Sequence, residues 1–156
     1  MEALIGVVIG GGIGLVSSWF LRWWEQQQAQ ARARAMALAY VNGVLKMQEE
    51  LQHVELYRRW LREKSPRNGL PRILGAGERP KDEVRTAIIG QLGLLSPSDA
   101  GDMVLFFNRL ESIDIGTREM FSTPDANLTV VVERHVAMMD EMLELGRKLV
   151  RRLGAG

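Results

Sequence analysis

From Ala3 to Leu21 the chain reads ALIGVVIGGGIGLVSSWFL, 19 residues without a charge. As an α-helix this run extends roughly 28 Å, close to the thickness of the hydrocarbon core of a bilayer. A chain of 156 residues seldom buries so long an apolar helix in a water-soluble core, so residues 1–24 are predicted to be a transmembrane anchor. The residues that follow agree. Trp19, Trp23 and Trp24 surround Arg22, the aromatic and basic residues expected where a span meets water. A cleaved secretory signal fits poorly. It would need basic residues before the run, where only Met1 and Glu2 stand, and Trp23-Trp24-Glu25 makes a poor cleavage site.

Charges on the flanks set an expected orientation. Glu2 precedes the span, whereas Arg22, Arg32 and Arg34 follow it, opposed by Glu25 alone. The positive-inside bias then places the N-terminus outside and the remaining chain in the cytoplasm. Within the span, Gly6, Gly10, Gly14 and Ser18 recur every four residues. Such a ridge of small residues lets two membrane helices approach closely, which predicts self-association through that face. The segment Val7-Val8-Ile9-Gly10-Gly11-Gly12-Ile13-Gly14 superficially resembles a dinucleotide-binding fingerprint. Leu15 stands where its third glycine belongs, however, and no acid lies between Glu25 and Glu49 to hold a ribose.

Beyond the span the pattern is helical, predicting an all-α chain with three regions. Residues 25–36, with four glutamines and alternating Ala and Arg, read as a stalk that continues the membrane helix. Residues 37–156 read as a mostly antiparallel four-helix bundle, interrupted by a Pro- and Gly-rich loop at 65–80. The first bundle helix carries a heptad-like seam of Ala37, Tyr40, Val44, Met47, Leu51 and Val54, and ends at Ser65-Pro66. Pro80 opens a short second helix with Val84, Ile88, Leu92 and Leu95 inward. Ser96-Pro97-Ser98-Asp99 is an N-cap followed by proline at the first helical position. It starts a helix expected to bury Met103, Val104, Phe107, Leu110 and Ile113. Thr123-Pro124-Asp125 repeats the device. The helix it launches has a seam of Leu128, Val132, His135, Met139, Met142, Leu149 and Leu153.

Composition removes most chemistry. There is no cysteine and there are only two histidines, which excludes disulfides, thiolate metal sites and cysteine nucleophiles. Glu50-Leu51-Gln52-His53 has the Glu-x-x-His spacing of di-iron bundles. Those sites need a second such motif and two further glutamates, and His135 has no glutamate three residues before it. His53 flanks the seam and is expected to be solvated. His135 lies on it and is expected to be a hydrogen-bonded core residue. No catalytic residue, metal, cofactor or small-molecule substrate is predicted.

Charge is segregated even though its sum is only +1. Nine bases and four acids lie between Arg58 and Arg85, ten acids and three bases between Asp99 and Glu144. The balance argues against a nucleic-acid partner. Acidic helices facing basic ones would explain the segregation. Contact with anionic lipid through Arg58, Arg59, Arg62, Lys64 and Arg67, or through Arg147, Lys148, Arg151 and Arg152, is the functional alternative. The expected role is a non-enzymatic, single-pass scaffold that presents its bundle to a partner, either a second copy or another membrane protein. A membrane-active oligomer of the lysis or toxin type is the competing reading. It is disfavoured by the large folded domain and by a span without a polar stripe beyond Ser17 and Ser18.

Overall fold

The computed structural model describes residues 2–71 and 82–155, with side chains from residue 18 onward and from residue 83 onward respectively. The calls on Gly6, Gly10, Gly14 and Pro80 lie outside the residues whose side chains are described. Helix α1 spans Glu2–Leu51, α2 His53–Glu63, α3 Asp82–Gln91, α4 Pro97–Ser122 and α5 Asp125–Gly154. Two short 3-10 turns, Arg67–Gly69 and Leu92–Leu94, complete the described elements. The all-α prediction holds. Among the described residues no helix is long and apolar enough to cross a membrane; the side chains of residues 3–17 of the predicted span lie outside the described residues.

The first bundle helix is not continuous. Gln52 adopts the left-handed conformation (φ 48°, ψ 32°) and separates α1 from α2. The break resets the helical phase. Leu51, predicted inward, is 46% exposed, whereas His53, Val54, Tyr57 and Trp60 are buried. Upstream, burial follows Ala33, Ala37, Tyr40, Val41, Val44 and Leu45. That is the stripe of an ordinary 3.6-residue helix, which drifts away from a 3.5-residue heptad and leaves Met47 only half-buried. Helix α2 ends at Lys64, also left-handed, with the Ser65 amide donating to the Trp60 carbonyl at 3.3 Å. The Trp60 indole donates to the Pro66 carbonyl at 3.2 Å and secures the turn.

Helices α4 and α5 form a hairpin whose direction is recorded in its ion pairs. Glu119 meets Arg134 and Arg109 meets Glu141, each at 2.7 Å, while Asp102 meets Lys148 at 2.9 Å. One number falls as the other rises, so the helices are antiparallel. Helix α5 is antiparallel to α1 as well, because Gly146 lies against Leu45 and Tyr57 of α2 packs on His135. Arg85 of α3 stacks over Phe107 at 5.4 Å and reaches Glu111 at 3.3 Å. Helix α3 then descends to the start of α4. With α1 and α2 as one bent column, the result is the predicted, mostly antiparallel four-column bundle.

Met103, Phe106, Met120, Val132, Met139, Met142 and Leu149 fill its centre. Phe106 occupies the place assigned to Val104, which is exposed, as is Val84. Gly146 marks the closest approach of three helices. A Cβ there would stand 2.9 Å from Leu45 Cδ2 and 3.0 Å from Phe106 Cε2.

The two predicted caps differ in outcome. The Ser96 hydroxyl accepts the Asp99 amide at 3.1 Å, with Pro97 beginning the helix. Thr123 does the opposite of what its spacing predicts. Its hydroxyl donates backward to the Glu119 carbonyl at 2.7 Å, finishing α4 and leaving α5 without a side-chain N-cap.

Candidate functional site

Helix α1 continues past the bundle toward the N-terminus, and its side chains from Ser18 to Gln28 are exposed. Trp19, Phe20, Leu21, Trp23 and Trp24 all lie on this stretch, Trp19 at 70% exposure. Phe20 contacts Trp23 and Trp24, with ring centroids 6.0 and 6.5 Å apart. At 100° per residue these side chains cover an arc of about 200° of the helix circumference, and Arg22 faces the remaining side. None of the described residues of the bundle covers this collar, although soluble proteins rarely expose so much contiguous apolar surface.

Just below the collar a hollow of about 670 Å³ opens where the stalk meets the bundle. Gln27, Gln30 and Arg34 line one side, and Leu95, Ser96 and Leu153 the other. Among the described residues no side-chain carboxylate borders it, and Arg34 is its one charged lining residue. Two smaller hollows have a different character. Arg109, Glu141, Glu144 and Lys148 line one of about 300 Å³; Glu49, Glu55, Arg58, Asp140 and Arg147 line another of about 360 Å³. Both mix signs of charge. Sequence reasoning missed Arg34 as a site residue, but a signal was present. Its helical neighbours three and four positions away are Ala31, Ala37, Gln30 and Leu38, so no acid on its own helix can pair with it.

The proposed lipid-contact residues separate into two kinds. Arg58 makes a two-pronged contact to Asp140 at 2.8 and 2.7 Å and another to Glu55 at 2.6 Å. Arg67 closes the end of α4, donating to the Phe121 and Thr123 carbonyls and to Asp125 at 2.9 Å. Lys148 and Arg152 both meet Asp102, and Arg152 also meets buried Asp99 at 2.6 Å. These four stitch the bundle together. Arg59, Arg62, Lys64, Arg147 and Arg151 are exposed, with no acidic partner among the described residues.

Their distance from the collar also differs. At about 1.5 Å of rise per residue, Arg34 is ~15 Å below Trp24 along α1, and Leu45, beside Gly146, is ~31 Å below it. Arg147 shares the level of Leu45. Arg58 through Arg67 lie farther still, roughly 40 Å or more from the collar. The screening length at physiological salt is about 8 Å.

Both histidines are buried. His135 is fully enclosed against the Tyr57 ring, with centroids 5.3 Å apart, and against Gly116, where a Cβ would come within 2.8 Å of its Nδ1. Contrary to expectation, neither ring nitrogen has a hydrogen-bond partner among the described residues. Burial holds its pKa down at about 4. His53 is enclosed rather than solvated, its Nδ1 lying 3.1 Å from Gln48 Oε1, and burial lowers its pKa too. Tyr57, whose hydroxyl donates to the Pro71 carbonyl, is raised by the same desolvation. Glu50 is exposed and pairs with Lys46, so the Glu-x-x-His residues point apart. Among the described residues no group of three or more His, Cys, Asp or Glu could hold a metal ion.

Known proteins offer no guide: no family model, curated protein or solved structure matches the chain.

Proposed function

We propose that this chain is a non-enzymatic scaffold anchored in a membrane by its N-terminal helix, with a cytoplasmic bundle offered to a partner. The collar supports the reading best. Trp19, Phe20, Trp23 and Trp24 are exposed on a helix that leads directly into the uncharged run 3–21, and indole rings favour the boundary between hydrocarbon and water. The glycine ridge at Gly6, Gly10 and Gly14 would pair two copies within the bilayer.

The test is extraction of membranes with alkaline carbonate. The full chain should stay with the pellet; its recovery in the supernatant without detergent would defeat the anchoring. A C-terminal reporter active only outside the cytoplasm should remain silent, and strong activity would reverse the orientation. A transmembrane association reporter carrying residues 1–24 addresses the ridge. Gly10→Ile should lower its signal, whereas Gly11→Ile adds the same bulk about 100° away and should matter less. Equal loss in both would remove the glycine face from the proposal.

A further inference from the structure

The hollow between stalk and bundle has a position and charge that the scaffold role leaves unused. The geometry points to a binding site there for the phosphate headgroup of an anionic phospholipid, with Arg34 as its ion partner and Gln27 and Gln30 as amide donors. This inference rests on the anchoring proposed above. With the collar at the edge of the hydrocarbon, Gln27 lies ~5 Å beyond Trp24 and Gln30 ~9 Å beyond it. The polar zone of a bilayer occupies roughly 5–7 Å on each side. Arg34 starts lower, at ~15 Å, but helical side chains lean toward the N-terminus, here toward the membrane. Its long stem can therefore carry the guanidinium about a turn closer, to ~10 Å, while the stem lies along the apolar wall. That is within hydrogen-bond reach of a phosphate at the outer edge of the polar zone.

Charge selects the ligand class. Among the described residues no side-chain carboxylate borders the hollow, so an anion entering it meets the guanidinium of Arg34, a group suited to phosphate. The two mixed-charge hollows already satisfy their cations with Glu141 and Asp140. Size agrees as well: about 670 Å³ falls within the usual range for small-ligand sites. The other basic cluster, Arg59, Arg62 and Lys64, is several screening lengths from the collar and cannot serve the same surface.

The collar tryptophans supply the probe. The full chain would be reconstituted in phosphatidylcholine vesicles holding a small fraction of lipid with a dansyl-labelled acyl chain, either phosphatidylglycerol or phosphatidylcholine. Energy transfer from tryptophan to labelled phosphatidylglycerol should exceed transfer to labelled phosphatidylcholine at least two-fold. Arg34→Gln should erase the difference, Arg34→Lys should keep part of it, and Arg147→Gln should leave it unchanged. Inorganic phosphate, compared with chloride at equal ionic strength, should not compete. Equal transfer to both lipids, or a difference that survives Arg34→Gln, would overturn the site while the protein stays in the carbonate pellet. Abolition by phosphate would make the occupant a soluble anion and overturn the lipid assignment. Release of the chain by carbonate would remove the anchoring, and the lipid site with it.

Discussion

One helix, α1, behaves as two regions. Above Ala33 its large residues, Trp19, Phe20, Leu21, Trp23 and Trp24, are exposed; from Ala33 downward a stripe in which small residues alternate with larger ones, Ala33, Ala37, Tyr40, Val41, Val44 and Leu45, is buried. The backbone is the same throughout. What changes is the neighbour. In the lower region small side chains let α5 approach, and Gly146 comes within a Cβ's distance of Leu45. In the upper region none of the described residues packs over the helix, and bulky indole and phenyl rings occupy it instead. Apolarity alone therefore does not mark a core: size and spacing separate residues that meet another helix from residues offered to another medium.

The largest expected effect separates the two regions outright. A chain beginning at Gln26 should lose all retention in the carbonate pellet yet keep its helical circular dichroism and a cooperative melt. Loss of the melt would mean the upper region is part of the core. Next, equivalent aromatic truncations should have opposite weights. Phe106→Ala, at the buried crossing, should cost about 3–5 kcal/mol in denaturant unfolding. Trp23→Ala, in the collar, should change stability by less than about 0.5 kcal/mol. Similar losses in both would erase the distinction.

Acid sharpens the lower region. His135 is neutral in the fold, with a pKa near 4, whereas the unfolded chain binds its proton near 6.5. Its contribution is intact above pH 6.5 and declines as pH falls, reaching a loss of about 3 kcal/mol near pH 4. Stability measured by urea denaturation across that window should follow the decline, with His53 acting in the same direction, and His135→Leu should flatten it. An unchanged slope in that variant would show that His135 is not the group titrating. The smallest effect is local. Ser96→Ala removes the acceptor for the Asp99 amide and should lower stability by about 1 kcal/mol, readable as a modest fall in melting temperature.

Much of the lower region could be read directly from residues. Every seam position assigned to α5, from Leu128 to Leu153, is buried. Ser96-Pro97 starts α4 because a cap needs only its own side chain and an amide three residues away. The same reasoning failed at Thr123, where two helix ends share one hydroxyl and the carbonyl of Glu119 takes it. It failed at Gln52, a residue with neither proline nor glycine beside it, where a left-handed turn brings Val54, Tyr57 and Trp60 into the core at the expense of Leu51. The seam had correctly included Val54, but not the interruption that buries it.

The sequence by itself determined the helical class, the hairpin of α4 and α5, and the placing of small and large residues along α1. Those follow from helical period, end-capping chemistry and side-chain volume, all of which act within a few residues. Only the tertiary structure decided which cations hold the bundle and which remain exposed. It paired Arg58 with Asp140 and Arg152 with Asp99, and left Arg34 in a hollow without an acid. The reason is distance in the chain. Asp140 lies 82 residues from Arg58, and the packing of α5 against α2 is what brings them together.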